Sequence, residues 1–374
     1  DGWQTQALPI VTSEAAPLKS VSLVPGDLDG DGREDLYVVA SGSHDGRAFG
    51  GDQVLMSAGD GSFEPHPEPL PAALAEQDGF DAVWLDWDSD GSQDLYVIND
   101  VTNTGAGPVG AGNVLYRNVD GSLQSVGEQC RCDLQVGGMG VDVTDLNGDG
   151  RPDLYIEATL RNILLEQLVD GSFADTTLQR GANAVDGTPG SMGWSGVFLD
   201  YDNDGYQDIL VTEGGMRYPG SLPEMDRDMP IRLMHHLPTK AGFEMVDEAP
   251  SLGLDRLGFW RAAVPVDLND DGVLDLIVSD VAERPLLFMS DGCTADGWLR
   301  VEAEPGSRVD VVAQGRTQTA WVTRHSGYLG ARPATAHFGL GDAQQVLMVQ
   351  VTRPDGEVLQ TTHTFDARRV ISVD

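Results

Sequence analysis

The sequence predicts an all-β chain built as a β-propeller of five repeated modules, and three observations carry that prediction. An acidic loop recurs five times. Each copy sits between apolar runs of strand length. The spacing between copies is nearly constant. The loops read DLDGDGRED from Asp27, DWDSDGSQD from Asp86, DLNGDGRPD from Asp145, DYDNDGYQD from Asp200 and DLNDDGVLD from Asp267. Their starts lie 59, 59, 55 and 67 residues apart, the self-similarity that marks a repeat architecture.

Within a module the first element is the apolar run before the loop, such as VSLVPG, FDAVWL or WSGVFL. The second follows the loop at once: LYVVAS, LYVIND, LYIEAT, ILVTEG or LIVSDV. The third is QVLMSA, NVLYRN, NILLEQ, IRLMHH or PLLFMS, and the fourth is GSFEP, GSLQSV, GSFADT or GFEMVD. These runs are short, β-rich and bounded by Gly, Asp and Asn, which is the signature of strands. Four strands in about 60 residues, repeated, describe the blades of a propeller.

The loop itself points to a hard cation. Ca²⁺ takes about six to eight oxygen ligands. The acids at positions 1, 3 and 5 are Asp27, Asp29 and Asp31 in loop one and Asp86, Asp88 and Asp90 in loop two. They are Asp145, Asn147 and Asp149 in loop three, Asp200, Asp202 and Asp204 in loop four, and Asp267, Asn269 and Asp271 in loop five. The backbone carbonyl of position 7 (Arg33, Ser92, Arg151, Tyr206, Val273) is a further expected ligand. Position 9 closes each loop with Asp35, Asp94, Asp153, Asp208 or Asp275. Position 12, where an EF-hand carries its closing Glu, is apolar here and falls inside the next strand. Gly at position 6 permits the sharp turn. Up to five Ca²⁺ ions are therefore expected, with weaker sites where Asn147 and Asn269 remove a charge.

Composition narrows the partners. The 374 residues include 60 acidic and 23 basic ones, a formal net charge of -37. Nucleic acid binding needs Lys and Arg against phosphate, so that class is excluded, as is an anionic membrane surface. No run of about 20 apolar residues exists, so no transmembrane helix is predicted. A chain that begins at Asp1 suits a mature form that has lost a signal peptide, or a trimmed one. The expected location is secreted, extracellular or periplasmic. Cys130, Cys132 and Cys293 do not make a disulfide framework. A bridge between residues two apart and a pairing through Cys293 both stay open.

The DxDxDGxxD loops, with NxLYxN and DGSF-like segments after them, resemble the FG-GAP or VCBS repeats of integrin-type propellers. The stretch 298–374, through RVDVVAQGRTQTAWV, SGYLG, AHFGLGDA and VQVTRPDGEVLQT, is similar to the ASPIC/UnbV region that ends the cartilage acidic protein family. The resemblance implies a calcium-binding propeller over residues 1–297 followed by a small β domain over 298–374. The family's propellers usually look like seven blades, and five loops are visible here. Either five blades close with the tail packed beside them, or tail strands add two blades. The N-terminal GWQTQALPIV is expected to supply the fourth strand of a closing blade.

Two classes of function remain. One is a binding, adhesion or protein-interaction module, or an accessory subunit, with an extracellular protein or carbohydrate as partner. The other is an extracellular enzyme acting at the propeller mouth on a carbohydrate or small metabolite. GWSG at 193–196 lacks the spacing of a nucleophile elbow, and neither HExxH nor a phosphate-cradling loop occurs. His235 and His236 are adjacent on an expected strand, so they face opposite ways. Loop residues on the end away from the acidic loops are the candidate contacts: His44, Arg47, Asp100, Arg131, Glu213, Arg217, Tyr218, Trp260 and Arg261.

Overall fold

The computed structural model describes residues 8, 20–40, 51–68, 70–71, 79–103, 108–109, 112–185, 187, 190–216, 226–292, 296–361 and 364–373. The expected closing strand GWQTQALPIV lies outside these residues apart from Leu8, as do His44, Arg47, Arg217, Tyr218 and Cys293.

Each module forms one antiparallel sheet whose strands follow in chain order, with a short pairing of Thr102–Asn103 and Pro108–Val109 set between the second and third strands of the second module. The first holds Ser20–Gly26, Asp35–Ala40, Gln53–Ser57 and Phe63–Pro65. The second holds Gly79–Leu85, Asp94–Asn99, Val114–Val119 and Ser122–Ser125. Gly138–Thr144, Asp153–Ala158, Ile163–Gln167 and Phe173–Asp175 make the third. Gly193–Leu199, Asp208–Glu213, Met229–Thr239 and Gly242–Asp247 make the fourth, to which Leu257–Gly258 adds a short pairing. The fifth has three strands among the described residues: Trp260–Val266, Asp275–Asp280 and Leu286–Phe288.

The apolar runs are continuous rather than alternating because both faces of the middle sheets are covered. Every residue of Asp94–Asn99, Gly138–Thr144, Asp153–Ala158, Gly193–Leu199 and Asp208–Glu213 is buried. Side chains from adjacent sheets share cores. Val83, Tyr96, Val141 and Ile156 pack between the second and third sheets. Tyr155, Leu164, Phe198 and Ile209 do so between the third and fourth, and Val197, Leu210, Trp260 and Val278 between the fourth and fifth. The first strand of each sheet lies beside the first strand of the next.

Side-chain amides tie consecutive modules at the acidic loops. Asn118 Nδ2 of the second sheet donates to Leu28 O in loop one at 2.7 Å. Gln167 Nε2 of the third sheet donates to Trp87 O in loop two at 2.8 Å. Both donors are buried, and a buried carbonyl left without its donor is costly.

Residues 297–373 form two larger sheets about a core of their own, with a two-stranded pairing of Gln345–Val346 and Phe365–Asp366 beside them. Gly297–Glu302 runs antiparallel to Thr335–Gly341 and parallel to Arg369–Ser372. Arg308–Ala313 lies between Arg316–Trp321 and Met348–Thr352, with Val358–Thr361 beyond. Leu299, Val309, Val311, Phe338, Val349 and Val351 fill the space between them.

The SGYLG segment leaves this C-terminal region and enters among the first strands of the repeat sheets. His325 Nε2 lies 2.9 Å from Val141 O and 3.1 Å from Asp81 Oδ2. Ser326 Oγ donates to Ala263 O at 3.1 Å, and Arg332 reaches Asp142 Oδ1 at 2.9 Å. The Tyr328 ring packs 5.2 Å from Trp194 and 6.3 Å from Phe80, in a cluster that Val21 also joins. One short segment therefore touches the first strands of the second, third, fourth and fifth sheets, and Val21 of the first sheet packs against the same cluster.

Replacing Tyr328 by Ala removes the aromatic centre of that cluster. Truncation of a large buried ring costs about 3–5 kcal/mol, so the urea midpoint of the full chain should fall well below that of the wild type. An unchanged midpoint would mean that the segment is not part of the cooperative core.

Candidate metal centres

The five loops share one hydrogen-bonded frame. The position 1 carboxylate takes the N–H groups of positions 5 and 6. Asp27 receives Asp31 N at 3.1 Å and Gly32 N at 2.8 Å. Asp86 receives Asp90 and Gly91, Asp145 receives Asp149 and Gly150, and Asp267 receives Asp271 and Gly272. Asp200 receives Gly205 N at 2.8 Å. The position 5 carboxylate holds the N–H of position 7 in every copy, at 2.8–3.1 Å. Position 6 is left-handed throughout, with φ from 80° to 91°, which is why it is Gly. Position 4 is left-handed too, at Gly30, Ser89, Gly148, Asn203 and Asp270. Gly, Asn and Asp tolerate that region best; Ser89 is the unusual occupant.

Position 9 does more than close the loop. One of its oxygens takes the N–H of position 2, and the other takes an N–H from the third strand or, at Ser290, from just beyond it. Asp35 joins Leu28 N at 3.0 Å to Ser57 N at 2.8 Å. Asp94 joins Trp87 to Asn118, and Asp153 joins Leu146 to Gln167. Asp208 joins Tyr201 to His236, and Asp275 joins Leu268 to Ser290. All five carboxylates are buried, none more than 1 % exposed.

Burial pushes several of these carboxyls up. Asp35 and Asp86 rise to about 6, as does Asp145, and Asp94 rises to about 7. Asp153, Asp200 and Asp208 stand well above the usual carboxylate range for the same reason. The backbone N–H bonds favour the ionised form, but loss of hydration outweighs them.

Donor oxygens converge in loops one, two and four. Asp27, Asp29 and Asp31 form one trio, Asp86, Asp88 and Asp94 another, and Asp200, Asp202 and Asp208 a third, each with atoms within 4.8 Å of one another. Loops three and five, where Asn stands at position 3, show no such acidic trio among the described residues.

In loops two, three and four the third strand adds a residue that motif spacing alone did not reveal, at a position the other two modules fill with Met. It immediately precedes the residue whose N–H meets position 9, and it is Met56, Arg117, Glu166, His235 or Met289. Arg117 lies 2.6 Å from Asp88 and 3.0 Å from Asp90. Glu166 Oε2 accepts from Asn147 Nδ2 at 3.4 Å. His235 faces Asp202 and Asp204, while His236 turns the other way, between Tyr206 and Phe243. The alignment of the third segments QVLMSA, NVLYRN, NILLEQ, IRLMHH and PLLFMS held that signal.

The C-terminal region covers the acidic loops. Arginines occur there at intervals of eight: Arg300, Arg308, Arg316, Arg324 and Arg332. Arg300 reaches Asp267 at 3.3 Å and Asp270 at 2.9 Å in loop five. Arg308 donates to Gly150 O of loop three at 3.0 Å, and Arg316 donates to Gly205 O of loop four at 2.7 Å. Arg324 pairs with Glu34, beside the end of loop one, at 2.8 Å. His337 Nε2 lies 2.8 Å from Asn203 Oδ1.

Several candidate contacts at the other end prove to be interior. Glu213 is buried and paired with Arg232 at 3.3 Å. Trp260 is buried and donates Nε1 to Arg256 O. Arg261 stacks over Trp194 at 3.8 Å and donates to Gly215 O. Asp100 makes an isolated bridge to Gly137, and Arg131 is an exposed left-handed turn residue. Cys130 and Cys132 are joined as a disulfide.

Family comparison matches residues 27–97 and 86–156 to the FG-GAP-like repeat, and residues 303–373 to ASPIC and UnbV. Over 91% of its length the chain is 22% identical to cartilage acidic protein 1 of Homo sapiens and 21% identical to that of Mus musculus. It spans 60% and 62% of those proteins, about three fifths of their length. Among solved structures it is similar to a rhamnogalacturonan lyase, YesW, at 12% identity and a TM-score of 0.32, covering 93% of this chain and 76% of that one.

The position 9 role is separable from any cation. With chelator present, Asp153→Ala orphans the N–H groups of Leu146 and Gln167 and should cost at least about 3 kcal/mol in urea titrations. Asp153→Asn keeps one acceptor and should cost less. Equal stability of Asp153→Ala and wild type would refute the staple.

Burial pushes the His236 imidazole down to about 4. Its folded value is depressed below the ordinary one near 6.5, so its contribution is present above pH 6.5 and lost as pH falls toward 4. The stability advantage of wild type over His236→Gln should therefore shrink across that window when urea midpoints are compared.

Proposed function

This chain belongs with the proteins that join FG-GAP-like repeats to an ASPIC/UnbV region, and from that premise we propose that it is a secreted, Ca²⁺-braced β-propeller serving as a protein-interaction or adhesion module. One observation carries the reading: five loops repeat a single hydrogen-bonded frame, and in three of them the acids bring their oxygens within 4.8 Å of one another.

Asp27, Asp29, Asp31, Asp86, Asp88, Asp90, Asp145, Asn147, Asp149, Asp200, Asp202, Asp204, Asp267, Asn269 and Asp271 would hold the ions, with the position 9 aspartates and position 7 carbonyls. The donor set is all oxygen in four of the loops, which suits a hard cation. Bound calcium supplies positive charge where carboxylates otherwise stay protonated or repel one another. Residues 1–297 form the propeller in this reading, and 298–374 form the domain that caps its acidic-loop face.

The binding surface then lies at the opposite end, on the long connections between second and third strands. Its partner is an extracellular protein or carbohydrate, and its location is outside the cytoplasm. Support comes from the covering of one end by the C-terminal region, from the net charge of -37, and from the relatives' match over both regions. An enzymatic site is not favoured, because Glu213, one of the acids expected to serve it, is committed to Arg232 inside the sheet array.

Chelation tests the reading. A site held at a hundred times its dissociation constant contributes about 2.7 kcal/mol to the folded form. Excess EGTA should lower the melting temperature of the full chain by several degrees at least, and Ca²⁺ but not Na⁺ should restore it. An unchanged melt after metal analysis confirms removal would sink the calcium role.

A further inference from the structure

Loop four differs from the other four in offering a nitrogen. We propose that it is a site for a borderline divalent transition ion of the zinc class, with His235 as a ligand and Glu248 as the group that orients it. This rests on the reading of the loops as cation sites.

Asp202, Asp204 and His235 place one donor atom each within 4.8 Å of one another, and Asp202 also belongs to the trio with Asp200 and Asp208. His235 Nε2 lies 3.5 Å from Asp202 Oδ2 and 3.9 Å from Asp204 Oδ2. Donors bound at about 2.0–2.2 Å to a common ion sit roughly 3–4 Å apart. Both imidazole nitrogens are buried and neither makes a hydrogen bond of good geometry. Asp200 is 1 % exposed, and its Oδ1 is likewise buried without a hydrogen-bond partner. Asp202 is common to the group that holds His235 and the group that holds Asp200.

The other face of the imidazole is also provided for. Nδ1 lies 3.3 Å from Glu248 Oε1, and Tyr201 Oη donates to Glu248 Oε2 at 3.0 Å. The Tyr201 ring stands edge-on to the imidazole at 5.4 Å and 84°. A carboxylate behind a histidine fixes its tautomer and raises its basicity toward a metal. Ca²⁺ prefers oxygen, whereas imidazole suits zinc and its neighbours.

The same strand position in loop two holds Arg117, a fixed positive charge against Asp88 and Asp90. The rival account is that a protonated His235 plays Arg117's part and no ion binds. The two accounts differ in what the stripped protein takes up.

The test uses the full chain, stripped by chelator and then equilibrated with Co²⁺ in excess Ca²⁺. Visible absorption reports Co²⁺, and elemental analysis reports both metals. Wild type should retain one Co²⁺ that Zn²⁺ displaces and Ca²⁺ does not. H235Q should weaken Co²⁺ binding at least about tenfold, and E248Q about tenfold with the spectrum preserved in shape. Equal Co²⁺ affinity in wild type and H235Q, or displacement of Co²⁺ by Ca²⁺, overturns the proposal. If Ca²⁺ fills the other loops while Co²⁺ is ignored, only this inference fails; if neither metal binds, the reading of the loops fails with it. Thermal melts of both variants separate lost affinity from lost folding.

Discussion

Everything in the repeat region hangs on a buried aspartate with two backbone partners. One oxygen of each position 9 carboxylate holds the start of the loop, and the other holds the third strand. The residue is therefore a corner joint that ties the start of the loop to the end of the third strand beyond the last ladder pair. It explains why the loop ends in Asp at position 9 rather than in a longer acid at position 12: the strand has already begun there, and only a short side chain reaches both N–H groups. The cost of this joint is a charge taken out of water. Burial outweighs the two N–H bonds at Asp35 and Asp94, whose carboxyls rise to about 6 and about 7.

That cost is where the C-terminal region enters, and where the proposed cations would. A chain with 60 acids and 23 bases has few countercharges to distribute, and it places several of its arginines at the loops. Arg308 and Arg316 meet glycine carbonyls of loops three and four, and Arg300 meets the acids of loop five. Loop two has its own guanidinium from Arg117. The electrostatics of the five loops are thus unequal although their backbones are alike. What varies is the residue that the third strand and the C-terminal sheets lay over each one.

The same C-terminal region holds the sheet array from within. Among the described residues the first strands pack each against the next, and the C-terminal segment adds a link across them. The segment around Tyr328 meets Phe80, Trp194 and Ala263 together, in a cluster that Val21 also joins. Its buried His325 and half-buried Arg332 meet Asp81 and Asp142, buried acids of the first strands that need a partner there.

The repeat, its strands and the acidic loops were legible in the sequence because they follow from local rules. A left-handed turn needs Gly, a strand buried on both sides needs a continuous apolar run, and a hard cation needs clustered oxygens. Those rules act over about a dozen residues, and the period of the motif makes them cumulative. The interior fates of Glu213 and Trp260 were not legible, because a loop-end residue and a buried ion pair look alike in one dimension. Nor was the meeting of His235 with Asp202, which depends on which strand face a neighbouring histidine takes. The seating of residues 298–373 on the loops depended on contacts spanning more than a hundred residues, such as Arg308 to Gly150. Short-range chemistry determined the modules; only tertiary packing decided what covers them, because the arginines and the loops they meet are brought together by surface fit and charge rather than by any spacing along the chain.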